Sequence, residues 1–179
     1  KEKEKEKGKA FVTVGTTKFE KLISALDRME VLEALVCAGY TRLTLQIGHG
    51  EYTPSTIVSS GRTKGRKKVK GKWIDVEYFR LAPSLQTHMD ESSLVISHAG
   101  AGSLFEALNA GRRVIAVPNP GLMVNHQEEL AQHLAGLGYL LHSNLDSIPT
   151  AITEMETAQF KKYKPQDARK MVKKIDSLF

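Results

Sequence analysis

SLVISHAGAGSLFEALN, residues Ser93–Asn109, runs from a strand through paired glycines into a helix with no linker between. Ser93–Ser97 is apolar without alternation, the pattern of a strand covered on both faces of a parallel sheet. His98 to Ser103 turns the chain, and helical spacing occupies Gly102–Asn109 until Gly111 ends it.

The same alternation extends in both directions. Upstream, Ala10–Val14 is a short β-branched run closed by Gly15, followed by helical spacing from Phe19 to Val36. Leu43–Ile47 reads as a second strand and Ile74–Phe79 as a third. Pro83 and Ser84 open a short helix through Met89. Downstream come a strand at Arg113–Val117, a helix from Asn125 to about Leu137, and a short strand at Tyr139–His142. Final helices are expected over Ile148–Thr157 and Pro165–Leu178. Five or six strands alternating with helices predict an α/β fold: a Rossmann-like parallel sheet with helices on both faces. Residues 10–179 form one domain on this reading, with C-terminal helices from about 148. Residues 1–9, a Lys/Glu alternation, form a charged solvated tail.

Composition narrows the classes. A hydrophobic share of 41% supports a packed core, and one cysteine excludes an intramolecular disulfide. Cys37 is expected to be a buried small apolar side chain rather than a reactive thiol. No apolar run approaches the roughly 20 residues of a membrane-spanning helix. The net charge of +6 is local: Arg62–Lys72 carries seven basic residues and no acidic one, so the remainder sums to 6 − 7 = −1. Residues 52–72 lack a period and read as a long loop. The basic run within it is either a flexible solvated insertion or a patch for anionic lipid headgroups or an acidic partner. A nucleic-acid surface would spread its cations over a face with stacking aromatics, and none precedes Trp73 here.

Ligands of such folds bind beyond the carboxyl ends of the strands. That rule places Gly15, Thr16, Thr17, the 48–50 and 79–82 turns, 98–103 and 119–121 on one rim. At its centre, Gly100 and Gly102 allow close backbone approach, a helix start offers free N–H groups to an anion, and His98 and Ser103 add donors. Glu106, one turn on, suits ribose hydroxyls or serves only as a helix-end charge. Asn125 and Gln127 present amides suited to sugar hydroxyls; the plainer alternative is an Asn cap followed by an exposed His126 and Gln127. The first strand lacks GxGxxG, and no GxxxxGK[ST] occurs, so neither a nicotinamide nor an ATP fingerprint is present.

VGTT after the first strand, LQIG after the second, SHAGAGS and NHQ together resemble one family. It is the catalytic subunit of the two-part UDP-N-acetylglucosamine transferase of the dolichol pathway, itself similar to the C-terminal half of GT-B glycosyltransferases. The likeness covers roughly Phe11 to Tyr139. It implies that Gly100, Gly102 and Ser103 hold the UDP diphosphate beside His98, with Gly15, Thr16 and Thr17 lining the cleft. Glu106 would bind the ribose, and Gln127 with Asn125 or His126 the GlcNAc hydroxyls. It further implies a membrane-anchored acceptor-binding partner, met through the C-terminal helix Ala168–Phe179. The acceptor would be dolichyl-diphosphate-GlcNAc, at the cytosolic face of the endoplasmic reticulum. Two departures stand out: the basic insertion is long, and His126 stands where many GT-B enzymes carry Asp.

No DxD-type pair flanks a strand end, so no obligatory metal ligand is expected, although Mg²⁺ can accompany the UDP-sugar. The general base is expected on the partner, with His98 the weaker candidate. The competing classes are an NAD-dependent epimerase, a UDP-sugar-binding regulatory module without catalysis, and a nucleic-acid binder.

Overall fold

The computed structural model describes residues 8–122, 126–166, 170 and 173. Seven strands form one sheet in the order β3-β4-β2-β1-β5-β6-β7. They are β1 (Gly8–Thr13), β2 (Tyr40–Gln46), β3 (Lys64–Val69), β4 (Lys72–Phe79), β5 (Ser92–Ser97), β6 (Arg113–Ala116) and β7 (Leu141–His142). Every pairing is parallel except β3 with β4.

Side-chain alternation fixes the layers. On one face Ala10, Val12, Leu43, Leu45, Ile74, Val76, Leu94, Ile96 and Ile115 meet the helices α1 (Glu20–Leu26), α2 (Met29–Cys37) and α6 (Ile148–Glu154). On the other, Phe11, Val95, Val114 and Ala116 meet α3 (Gln86–Asp90), α4 (Ala101–Asn109) and α5 (His126–Gly136). The central strands are therefore buried on both faces, as the unbroken apolar run at 93–97 indicates. On β2 and β4 the second face is instead polar, carrying Arg42, Thr44, Asp75 and Glu77.

The structure corrects the sequence reading in four places. The loop expected over 52–72 is irregular only as far as residue 63: Lys64–Val69 forms an antiparallel edge strand, turning at Lys70 and Gly71 into β4. The charged tail ends sooner, because Gly8 and Lys9 belong to β1. Lys9 is 4% exposed, bonded to His88 Nδ1 at 3.1 Å and paired with Glu91 at 3.5 Å. The helix expected over 19–36 is two helices, broken at Asp27 and Arg28. Cys37 is exposed, because α2 buries the face of Val31, Leu32, Leu35 and Val36 and Cys37 falls outside it. Of the final helix, residues 165, 166, 170 and 173 are helical. The rest of the expected interface helix Ala168–Phe179, the tail 1–7 and Asn125 lie outside the described residues.

Candidate functional site

From β1 the chain proceeds to β2 and β4 on one side of the sheet, and from β5 to β6 and β7 on the other. The crevice over the ends of β1 and β5 is therefore the switch point at which such sheets bind ligands. Thr13 pairs with Ser97 there, which sets Gly15 and His98 facing each other just beyond the strand ends.

The His98 ring is wedged between glycines. A β-carbon on Gly15 (φ 61°) would stand 3.0 Å from His98 Cε1 and 3.5 Å from Ser103 Oγ; one on Gly100 would overlap His98 Nε2. At 5% exposure, burial pushes the imidazole below its ordinary pKa, with the Thr13 backbone opposing, so the ring is neutral at pH 7. Its Nδ1 makes no hydrogen bond among the described residues.

Ala99 turns the chain from β5 into α4 with a φ of 65° while fully buried. A left-handed alanine costs about 1 kcal/mol, a strain characteristic of functional turns. The turn aims the start of α4 at the crevice. Its N-cap, Gly100, is extended and supplies no side-chain cap. The first-turn N–H groups thus keep their attraction for an anion. A β-carbon at Gly102 would meet nothing within 4 Å. No internal packing demands that glycine, and the space it leaves belongs to the cleft. Ser103 is half-buried and Glu106 exposed on the same wall.

The cleft encloses about 440 Å³, within the usual range for small-molecule sites. It gathers Gly15, Thr16, His98, Gly100, Gly102, Ser103 and Glu106. Thr17 does not line it; its hydroxyl donates to the Val14 carbonyl at 2.7 Å and steadies the turn. Nor do His126 and Gln127, the former exposed and the latter accepting from the Asn119 N–H at 3.3 Å within the β6–α5 connection.

Two contributions escaped the sequence reading. The opposite wall is the segment 81–86, of which only residues 81 and 82 fell on the predicted rim. The floor includes Gln46, 1% exposed. Its Oε1 accepts from Thr13 Oγ1 (2.7 Å) and the Val14 N–H (3.1 Å), while Nε2 donates to the carbonyls of Gly15 and Arg80 (both 2.8 Å). One amide thereby ties together the ends of β1, β2 and β4. The available signal was a lone amide at the end of an apolar strand.

Among the described residues no group of three or more His, Cys, Asp or Glu is arranged to hold a metal ion, and no helix is long and apolar enough to cross a membrane.

The sequence profile of the glycosyltransferase family 28 C-terminal domain matches residues 9–178. The human "UDP-N-acetylglucosamine transferase subunit ALG13" is 39% identical over 132 residues, covering 74% of this chain. The chain spans only about a tenth of the human and mouse relatives, 11% and 10% of their lengths. The Saccharomyces cerevisiae subunit of the same name is 30% identical over 176 residues, covering 87% of this chain and 86% of its own. Among solved structures, the solution structure of ALG13 superposes with a TM-score of 0.61 at 27% identity, covering 89% of each chain. Acinetobacter baumannii MurG gives 0.60 at 18% identity, covering 98% of this chain and 51% of MurG. At that identity it speaks for the fold alone.

Proposed function

The chain belongs to the glycosyltransferase family 28 C-terminal domain family, among its ALG13-type UDP-N-acetylglucosamine transferase subunits, and on that premise we propose that it binds UDP-GlcNAc and, with a membrane-anchored partner, transfers GlcNAc to dolichyl-diphosphate-GlcNAc. The observation that carries this reading is the convergence at the β1/β5 switch point of an uncapped helix start, a buried histidine, a serine hydroxyl and a carboxylate one turn on.

The roles follow from the chemistry. The N–H groups at the start of α4, with Ser103, hold the diphosphate, and His98 donates from Nε2 at its edge. Glu106 accepts from the ribose hydroxyls. In the transfer, the acceptor hydroxyl oxygen attacks the anomeric carbon of GlcNAc from the face opposite the diphosphate. The bond from that carbon to the diphosphate oxygen breaks, and UDP departs with the electron pair. Charge growing on the diphosphate is met by fixed N–H dipoles in a partly enclosed site, where they act strongly. The hydroxyl proton passes to a base, which we place on the partner, because Glu106 serves the ribose and His98 the diphosphate. This division of labour requires no metal held by the chain; Mg²⁺ can arrive with the nucleotide. The site of action on this reading is the cytosolic face of the endoplasmic reticulum, reached through the partner.

Titrating UDP and UDP-GlcNAc into wild type and Glu106→Ala tests the assignment. Loss of a hydrogen-bonding carboxylate is expected to weaken both ligands by about 1–3 kcal/mol. Equal affinities would remove Glu106 from the site.

A further inference from the structure

Most of the basic run is an edge strand and the turn that follows it, and its placement gives it an accessible surface. Among the described residues β3 is the outermost strand of the sheet, with one backbone edge unpaired. Of the seven cations at 62–72, Lys64, Arg66 and Lys70 face Glu77 (3.7 Å), Asp75 (3.4 Å) and Glu33 (3.5 Å). These are exposed pairs of small energetic weight. Arg62, Lys67 and Lys68 enter no ion pair among the described residues. Apart from Lys72, the six cations of the run face three carboxylates, a surplus of 6 − 3 = +3 on this edge.

Lysines on an edge strand also discourage strand pairing between molecules. That accounts for some of the charge but not for Trp73. The ring lies directly across from Lys68 and stays 49% exposed, with Arg66 Cζ at 5.1 Å and Lys68 Nζ at 6.0 Å from its centroid. An amphipathic indole flanked by long cationic side chains has the composition of an interfacial membrane anchor. A single-stranded nucleic-acid surface would need successive stacking aromatics. Here Tyr78 and Phe79 on β4 are drawn toward the two cores, and Trp73 stands alone.

We infer that the β3–β4 edge of this chain docks on an anionic lipid bilayer, its cations on the headgroups and the Trp73 ring at the interface. Docking on this edge lays the strand axes along the bilayer plane. The cleft at the strand ends then opens sideways, along the surface, rather than away from it.

Trp73 is the only tryptophan in the chain, so its emission reports the contact directly. Phosphatidylcholine vesicles containing phosphatidylserine are expected to shift the emission to the blue and to sediment the full chain; phosphatidylcholine alone should do neither. Raising the ionic strength from about 0.1 M to about 1 M shortens the screening length from about 10 to 3 Å and should release it. Replacing Arg62 and Lys68 by Gln is expected to lower partitioning roughly 25-fold, about fivefold per charge, with melting temperature and UDP titration unchanged because both side chains are exposed and outside the cleft. The inference fails if the emission does not respond to anionic vesicles, if neutral vesicles bind equally, or if the double variant partitions like wild type. It fails equally if an oligonucleotide or polyglutamate shifts Trp73 while vesicles do not.

Discussion

At the scale of single residues, Gly102 allows a folding role to be separated from the proposed binding role. Glycine inside a helix costs roughly 0.5–1 kcal/mol relative to alanine, and a β-carbon there meets nothing within 4 Å. Gly102→Ala is therefore expected to raise thermal stability while weakening UDP, because the added methyl enters the cleft. Weaker binding without the gain in stability would point to a distorted turn instead. His98 makes a second prediction with opposed signs. Its pKa is lowered by burial, so the free protein resists protonation and should lose stability as pH falls below the unfolded value of about 6.5. On the proposed pose, a diphosphate beside the ring would favour the imidazolium and raise its pKa in the complex. Affinity for UDP-GlcNAc, whose phosphates do not titrate in this range, should therefore climb as pH falls through the bound-state pKa and level off below the free one. Calorimetric titrations across that range check this. A flat profile, or the same slope in His98→Gln, would place the ring away from the diphosphate.

At the scale of elements, local chemistry was legible and long-range pairing was not. The β5–turn–α4 unit declares itself because its signals are contiguous: an apolar run, glycines, a helix start. The break between α1 and α2 gives no such signal, since apolar spacing continues across it. It exists because Asp27, 4% exposed, accepts from Tyr52 Oη (2.7 Å) and the N–H groups of Ser55, Thr56 and Ile57 (2.9 Å each). Those partners lie 25 to 30 residues away, beyond the reach of any periodicity. Asp27→Ala strands three backbone donors and should cost about 3 kcal/mol in denaturant unfolding. UDP affinity should hold, because residues 52–57 lie outside the cleft. A change below about 0.5 kcal/mol would mean water replaces the carboxylate. β3 was hidden for a related reason. Its inward positions are Gly65, Lys67 and Val69, too polar to read as an alternating strand, and only the hairpin with β4 explains them. Gln46 was likewise visible as a residue but not as a hub, since its four bonds join three strand ends.

At the scale of the molecule, the cleft is a wall without a lid. Glu106 and Leu81, on its two sides, are exposed, Leu81 at 49%. An exposed apolar side chain at the mouth of a polar cleft suits coverage by a second body, and the proposed acceptor-binding partner would supply it. If the partner closes over the nucleotide, donor and partner each bind more tightly in the presence of the other, and thermodynamic linkage makes the two factors equal. Couplings of this kind amount to about 1–3 kcal/mol, or roughly 5- to 150-fold. The chain alone should therefore bind UDP-GlcNAc measurably yet transfer no sugar to the lipid acceptor. Adding the partner should raise donor affinity by the same factor by which saturating UDP-GlcNAc raises affinity for the partner. Four dissociation constants close this cycle. Full transfer by the chain alone would place acceptor and base on this chain. Activity that appears with the partner while donor affinity stays fixed would mean that the partner brings the acceptor without covering the nucleotide.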